Sequence, residues 1–295
     1  MKKLILFSVL LFLIRPQSLS AQVSACPTVN AGPDVGTTCG SPCTNLTATI
    51  QGTLQTNTYA VQNIAYSPYS YTTGTPVLIN IDDTWTPVVN LPFCFQFFGN
   101  NYTQMVIGSN GLISFNLGYA SGFCQWSFVN PIPTNTVPIN SIMCPYHDID
   151  PSIGSSSDIR YQTYGTAPCR QFVVSWYNVP MYSSSCNSML ASQQLVLHES
   201  TNIIDMYISS KPLCTGWNGG LATEGIQNAT GTVAFSVPGR NATQWNVVND
   251  GKRFMPTGAP NYTIQWTGPS GPIGNTATVN VCPTVTSTYT CTVTN

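Results

Sequence analysis

Residues 91–115 carry the clearest alternation of apolar and polar side chains in the chain, LPFCFQFFGNNYTQMVIGSNGLISF. Three phenylalanines between positions 93 and 97 recur at every second residue, which is the period of a strand with one face in a core. Two further apolar runs flank the sequence GSNG at 108–111. Asn-Gly between two β-prone runs indicates a hairpin, because both residues tolerate positive φ. The stretch therefore predicts a β-hairpin around which the rest of the chain is built.

Short runs of the same kind continue along the chain, and none of them shows sustained helical periodicity. Many short strands at regular spacing are typical of a sandwich-like all-β protein. An all-β, β-sandwich-like fold is therefore predicted. Its expected strands include 158–164, 170–177, 193–198, 203–208, 221–227 and 231–237, of which the third and fourth form a second hairpin.

The C-terminal runs 262–268, 276–281 and 287–295 alternate strictly. They are typical of immunoglobulin-like strands, but three strands are too few for a sandwich of about seven. Their apolar faces need a cover, and the alternating run at 45–50 offers one. We therefore expect 45–50 to pair or pack with the tail strands, although more than 200 residues separate them. The faces that would meet are Leu46, Ala48 and Ile50 on one side and Ile264, Trp266, Val279, Val281, Tyr289 and Val293 on the other.

Residues 1–21 have the features of a secretory signal peptide. Lys2 and Lys3 precede an apolar run at 4–14, and small residues stand before Gln22. This run of about 11 residues is too short to span a bilayer, which needs about 20. An uncleaved anchor is the alternative, and no later run is long and apolar enough to be transmembrane.

Charged residues are scarce, at 6% of the chain. Cleavage after residue 21 removes three of the nine basic residues and leaves six against ten acidic ones. Apart from Lys252-Arg253 the basic residues do not cluster, whereas a phosphate backbone needs several clustered cations. Nucleic acid is therefore excluded as an expected partner.

All 11 cysteines lie after the expected cleavage point. Such a number predicts an oxidising compartment and several disulfides, with at least one thiol left over because the count is odd. No Cys-x-x-Cys spacing occurs and the two histidines lie far from cysteine pairs, which disfavours zinc.

Segment 91–258 resembles the extracellular domain found in nidogen, called NIDO. The matching features, in order, are FQFFGNNYTQMVIGSNGLISF, IMCPYHDID, FVVSWYNV, QLVLHESTNIIDMYIS and ATEGIQNATG. His147 departs from the pattern, which has a small or apolar residue there. The resemblance implies a β-sandwich that mediates extracellular interactions.

VNAGPDV at 29–35 with NLTATI at 45–50 resembles the opening of PKD/Ig-like repeats in large adhesins of gliding bacteria, and the tail strands resemble their close. The resemblance implies one repeat, 22–56 plus 259–295, split by a NIDO-like domain at 57–258. It also implies a type IX export route and a place at the outer surface of a Gram-negative bacterium. Immunoglobulin-like sandwiches often bridge their sheets, so a disulfide between Cys39 or Cys43 and Cys291 is expected.

Asp148 and Asp150 stand two residues apart in an extended segment, so their side chains point the same way. With Asp158 they could offer Ca²⁺ the oxygen ligands that it prefers. Asp82 and Asp83 are weaker candidates for Ca²⁺ ligands. The alternative is that these acids cap turns and hold neighbouring strands by backbone hydrogen bonds.

Trp85, Trp126 and Trp217 lie in or beside expected loops, where exposed rings could stack on sugars. The alternative is that they cover the core beneath the loops.

Glycosidase chemistry needs two placed carboxylates. The chain has only Glu199 and Glu224 besides eight aspartates, several of which stand in expected turns, so this chemistry has little support. No G-x-S-x-G motif accompanies His198. A non-enzymatic adhesion module that contacts an extracellular protein or glycan is therefore the first hypothesis, with a carbohydrate-binding module second and a secreted hydrolase third.

Overall fold

The computed structural model describes residues 26–77, 80–153 and 158–294, so the signal peptide expected at 1–21 lies outside it. These residues form β-strands and two 3₁₀ turns, Leu117–Tyr119 and Asn218–Gly220, without an α-helix. No helix within them is long and apolar enough to cross a membrane. In chain order the strands are β1 (Thr28–Asn30), β2 (Thr44–Thr47), β3 (Thr49–Gln51), β4 (Tyr59–Ile64), β5 (Thr75–Pro76), β6 (Val89–Phe97), β7 (Asn100–Gly108), β8 (Leu112–Ser114), β9 (Ser141–Tyr146), β10 (Asp158–Tyr164), β11 (Gln171–Pro180), β12 (Leu190–His198), β13 (Ile204–Lys211), β14 (Leu221–Gln227), β15 (Ala234–Ser236), β16 (Thr243–Gln244), β17 (Val247–Pro256), β18 (Thr263–Gly268), β19 (Gly271–Gly274), β20 (Thr278–Val281) and β21 (Thr290–Thr294).

Two antiparallel sheets of seven strands form a large sandwich. The first sheet has the order β4-β17-β13-β12-β11-β10-β5. The second has the order β15-β14-β9-β8-β7-β6, and β16 pairs with β14 beyond this path. Apolar side chains from both sheets meet in one core, which confirms the expected all-β sandwich.

The hairpin expected at 91–115 forms as β6, β7 and β8. Gly108 pairs with Leu112 across the GSNG turn, and Phe97 pairs with Asn100 across the preceding turn. Phe95 and Phe97 are fully buried while Cys94 is exposed, as the alternation predicts. The Nε1–H of Trp176, on β11 of the first sheet, donates to the carbonyl oxygen of Gly108 at 3.0 Å. The hairpin is thus bonded to the opposite sheet.

The strands near both chain ends meet in a smaller set of sheets. β2 pairs with β20, β1 pairs with β3, and β18 lies between β19 and β21. Ala48 packs with Trp266, Val279 and Val281, and Leu46, Ile50, Ile264 and Tyr289 surround them. The pairing expected between 45–50 and the tail is confirmed, since burial of these apolar faces requires it.

Three disulfides within the described residues join segments that lie outside the strands: Cys26–Cys169, Cys43–Cys282 and Cys186–Cys214. The bridge expected from Cys39 or Cys43 to Cys291 was wrong in its second partner. Thr44 pairs with Val281, so antiparallel register sets Cys43 opposite Cys282, one residue further along. Cys39 and Cys291 are free thiols.

A buried ion cluster lies within the first sheet. Asp205 on β13 is opposite Arg253 on β17, and the guanidinium donates to both carboxylate oxygens, at 2.6 and 2.7 Å. His198 Nε2 contacts the same carboxylate at 2.9 Å. Burial by itself would raise the pKa of Asp205. The hydrogen bonds from Arg253 and His198 outweigh this effect and hold the pKa below its usual value.

Asp205→Asn should lower the free energy of unfolding by about 3–5 kcal/mol, because it leaves the buried guanidinium of Arg253 without its counter-charge. Asp158→Asn, which breaks the partly exposed pair with Arg160, should change it by less than about 1 kcal/mol. Urea denaturation of both variants measures the difference. Equal losses in the two would contradict this account of the cluster.

Candidate functional site

An acidic cluster, made of Asp82, Asp83 and Asp148, lies beside the GSNG turn of the hairpin. One carboxylate oxygen from each of the three residues lies within 4.8 Å of the others. Asp82 and Asp83 stand in the turn before β6, and Asp148 follows β9. Two segments that are distant in the sequence are therefore brought together by strands β7, β8 and β9 of the second sheet.

Asn110, the asparagine of the GSNG turn, holds both acidic segments. Its Nδ2 donates to Asp83 Oδ1 at 2.9 Å, and its Oδ1 accepts from the backbone N–H of Ile149 at 3.2 Å. Its carbonyl oxygen accepts from the N–H of His147 at 3.3 Å. The residue that makes the hairpin turn also positions the cluster.

Burial and mutual repulsion raise the pKa values of the cluster. Burial raises the pKa of Asp82 to about 7, with Asp83 and Asp150 adding repulsion. Burial also raises the pKa of Asp148 to about 7, against the hydrogen bond that it accepts from Trp217. The pKa of Asp83 is raised by burial as well, although the bond from Asn110 opposes this. The three carboxylates lack a cationic partner that would offset these costs among the ion pairs of the described residues.

An aromatic cluster, made of Trp126, Tyr182 and Trp217, adjoins the acids. Trp217 Nε1 donates to Asp148 Oδ2 at 2.6 Å. The Trp217 ring centroid lies 5.4 Å from that of Trp126 and 4.8 Å from that of Tyr182. The disulfide Cys186–Cys214 joins the two loops that carry Tyr182 and Trp217. Half-buried rings and carboxylates thus share one loop face.

A family model described as NIDO related matches residues 44–268, more than half of the chain. The chain belongs to the NIDO-related family. Neither the search of curated proteins nor that of solved structures found a match. The match confirms the resemblance seen in 91–258 and extends into strands β2 and β18, which lie outside the 57–258 expected for this domain. The family and the three disulfides indicate an extracellular interaction module.

The NIDO-related domain does not bring the expected trio Asp148, Asp150 and Asp158 together as one group of ligands. Asp150 Oδ1 accepts from the backbone N–H and the hydroxyl of Ser152, at 2.8 and 2.6 Å. Asp158 forms an ion pair with Arg160 on the same strand. Asp150 therefore has the turn-capping role that was the alternative, while Asp148 joins the weaker candidates Asp82 and Asp83.

The three tryptophans expected to stack on sugars differ in their exposure to solvent. Trp85 is 2% exposed and its ring stacks on Tyr119 with centroids 5.3 Å apart. It belongs to a second apolar core, so a role in sugar stacking is wrong for this ring. Trp126 and Trp217 are partly exposed and in contact. Tyr182 completes their cluster and was missed, because nothing local in its sequence marks the fold that places it there.

The histidines and glutamates are engaged in the interior or in ion pairs. Burial, with the charge of Lys211, lowers the pKa of His147 to about 3, so this departure from the family pattern is a neutral ring. Its Nε2 lies 3.0 Å from Gln193 Oε1. Glu199 pairs with Arg170 at 2.5 Å and Glu224 with Arg240 at 2.6 Å.

With a chelator present, Asp148 should make the free energy of unfolding fall as pH rises from about 4 to about 7. Its folded pKa is about 7 and its unfolded pKa is about 3.9. The folded state therefore binds more protons in this window and loses stability as they leave. His147 acts in the opposite direction, so the comparison is made with Asp148→Asn. Urea titrations across this window should give the variant a more positive slope of stability against pH, and parallel profiles would contradict the raised pKa.

Proposed function

We propose that the chain is a secreted or cell-surface adhesion module that carries out no catalysis. The family match over 44–268 carries this proposal, because a NIDO-related domain indicates an extracellular interaction module. The disulfides support export to an oxidising compartment, in line with the signal peptide expected at 1–21.

The side chains that could act in hydrolysis have structural partners. The carboxylates of Glu199 and Glu224 pair with arginines, and His198 contacts an aspartate that Arg253 already holds. General acid–base catalysis needs such groups within reach of a substrate. Their engagement favours binding as the role of this domain.

We further propose that the NIDO-like domain at 57–258 is inserted into a PKD/Ig-like repeat formed by 22–56 and 259–295. Pairing of β2 with β20 and the bridge Cys43–Cys282 support this arrangement. Insertion is tolerated where the two ends of a domain lie close together. Here the backbone N–H of Gln55 donates to the carbonyl oxygen of Ala259 at 2.9 Å, and that of Asn261 donates to the carbonyl oxygen of Thr53. The setting would be a surface adhesin of a gliding Gram-negative bacterium.

A carbohydrate-binding module is the second candidate. The partly exposed rings of Trp126 and Trp217 lie beside carboxylates that can accept hydrogen bonds from sugar hydroxyls. The planes of the two rings are inclined by 34°, so they form a V-shaped surface instead of one flat platform.

Beads coated with the mature chain should adhere to polysaccharide-coated or protein-coated glass more than beads coated with albumin. Purified protein should release no product from polysaccharide or peptide substrates. Adhesion no greater than that of albumin beads, or turnover of any substrate, would contradict a non-catalytic adhesion module.

A glycan array tests the second candidate. Binding to one defined sugar should weaken by about 5- to 150-fold in Trp126→Ala and Trp217→Ala, taking the loss of about 1–3 kcal/mol that removal of one stacked aromatic ring costs in base recognition. Phe123→Ala is the matched control, because this ring is 66% exposed and lies outside the aromatic cluster. Unchanged sugar binding in both tryptophan variants, with their circular dichroism intact, would exclude a role for these rings.

A further inference from the structure

The acidic cluster concentrates negative charge in a chain that carries very little of it. Only 10 of 295 residues are Asp or Glu, and three of these stand in the cluster. The ion pairs of the described residues join other acids, at Asp158, Glu199, Asp205, Glu224 and Asp250. Adjacent carboxylates with no counter-charge repel one another, which is unfavourable unless something neutralises them.

Asp148 provides the independent sign of a ligand. The residue is 5% exposed, and its Oδ2 is held by Trp217. Its Oδ1 is buried without a hydrogen-bond partner, and so is Oδ1 of Asp82. A buried carboxylate oxygen without a partner is costly. Two such oxygens in one cluster have lone pairs that a cation can bind.

The donor set identifies the class of cation. All three residues offer carboxylate oxygen, and no histidine or cysteine belongs to the group. Hard oxygen ligands suit Ca²⁺ or Mg²⁺, whereas zinc and copper prefer nitrogen and sulfur. Ca²⁺ accepts six to eight oxygens in irregular geometry, while Mg²⁺ demands a near-ideal octahedron. Two separate segments that converge on one point suit the more tolerant ion.

We propose that Asp82, Asp83 and Asp148 bind a calcium ion that ties the turn before β6 to the segment after β9. The remaining coordination positions are filled by water or backbone oxygen. Asn110 is a positioning residue, because it holds Asp83 with its side-chain amide and the 147–149 backbone with its two oxygens. This site does not depend on the adhesive function proposed above.

Occupancy of the site also acts on the aromatic cluster. One carboxylate oxygen of Asp148 faces the ion, and the other accepts the hydrogen bond from Trp217. The ion therefore fixes the carboxylate that holds the indole ring. Trp217 in turn contacts Trp126 and Tyr182. Calcium should therefore increase the intensity of the aromatic bands in the near-ultraviolet circular dichroism spectrum of the protein. This measurement does not require any known binding partner.

Thermal unfolding of the mature chain, with its disulfides intact, tests the site. Millimolar CaCl2 should raise the melting temperature of the wild type relative to a chelator, because a ligand that binds only the folded state stabilises it. Asp82→Asn and Asp148→Asn should lose most of this shift. Asp158→Asn is the matched control and should keep it, since that carboxylate is engaged with Arg160.

The chelator arm separates a cation site from an ordinary structural role. Without calcium, Asp148→Asn should melt no lower than the wild type, because the amide removes repulsion from the cluster. With calcium it should melt lower than the wild type. Lower melting of the variant by the same amount in both conditions would overturn the proposal, as would a wild type whose melting temperature and calorimetric heat do not respond to calcium.

Two further ions sharpen the test. Tb³⁺ emission excited through tryptophan should appear in the wild type and in Asp158→Asn, and should be lost in Asp148→Asn. Mg²⁺ at the same concentration should raise the melting temperature less than Ca²⁺ does. An equal shift with Mg²⁺, or Tb³⁺ emission that survives in Asp148→Asn, would mean that the acids attract cations diffusely and would overturn a calcium site.

Discussion

Apolar side chains shared by the two seven-stranded sheets hold the large sandwich together and fix the position of its loops. The hairpin β6–β8 supplies fully buried rings to this layer, and the bond from Trp176 to Gly108 joins it to the other sheet. The GSNG turn between β7 and β8 is packed closely against β9 and β12. A side chain on Gly111, which has φ of +81°, would meet Gln193 Nε2 at 2.1 Å and Pro145 O at 2.2 Å. Asn110 therefore stands in a closely packed turn and is hydrogen-bonded to both acidic segments.

The distribution of charge follows from the same burial. A chain with so few ionisable groups places several of them inside, and there they carry partners: Asp205 with Arg253, and Glu224 with Arg240. Burial raises the pKa of Glu224 to about 7, and Arg240 opposes that rise. The acidic cluster differs from both pairs because its neighbours are further acids, an indole N–H and an amide.

Much of the fold could be predicted from alternation and turn chemistry, because a strand with one buried face leaves a period of two in the sequence. The pairing of β2 with the tail could also be predicted, since apolar faces such as that of Trp266 need a cover. The bridge Cys43–Cys282 could not be predicted in this way, because it follows from the register that places Thr44 opposite Val281, and alternation alone does not give a register. The candidate site could be predicted only in part from the sequence. The proximity of Asp83 and Asp148 depends on how strands β7, β8 and β9 fold back on one another, and no local pattern encodes that arrangement.

The covalent bridge Cys43–Cys282 has a mechanical consequence for the chain when it is placed under tension. It closes a loop of chain with a sequence separation of 239 residues, and this loop contains the whole large sandwich. Tension that enters between Cys26 and Cys43 and leaves through residues after Cys282 crosses that bond directly. Cys26–Cys169 adds a second covalent path, from the segment before Cys43 into the large sandwich. Pulling on the chain between Cys26 and Cys43 would therefore strain the outer strands of the small sheets before the loop face with the acids and tryptophans.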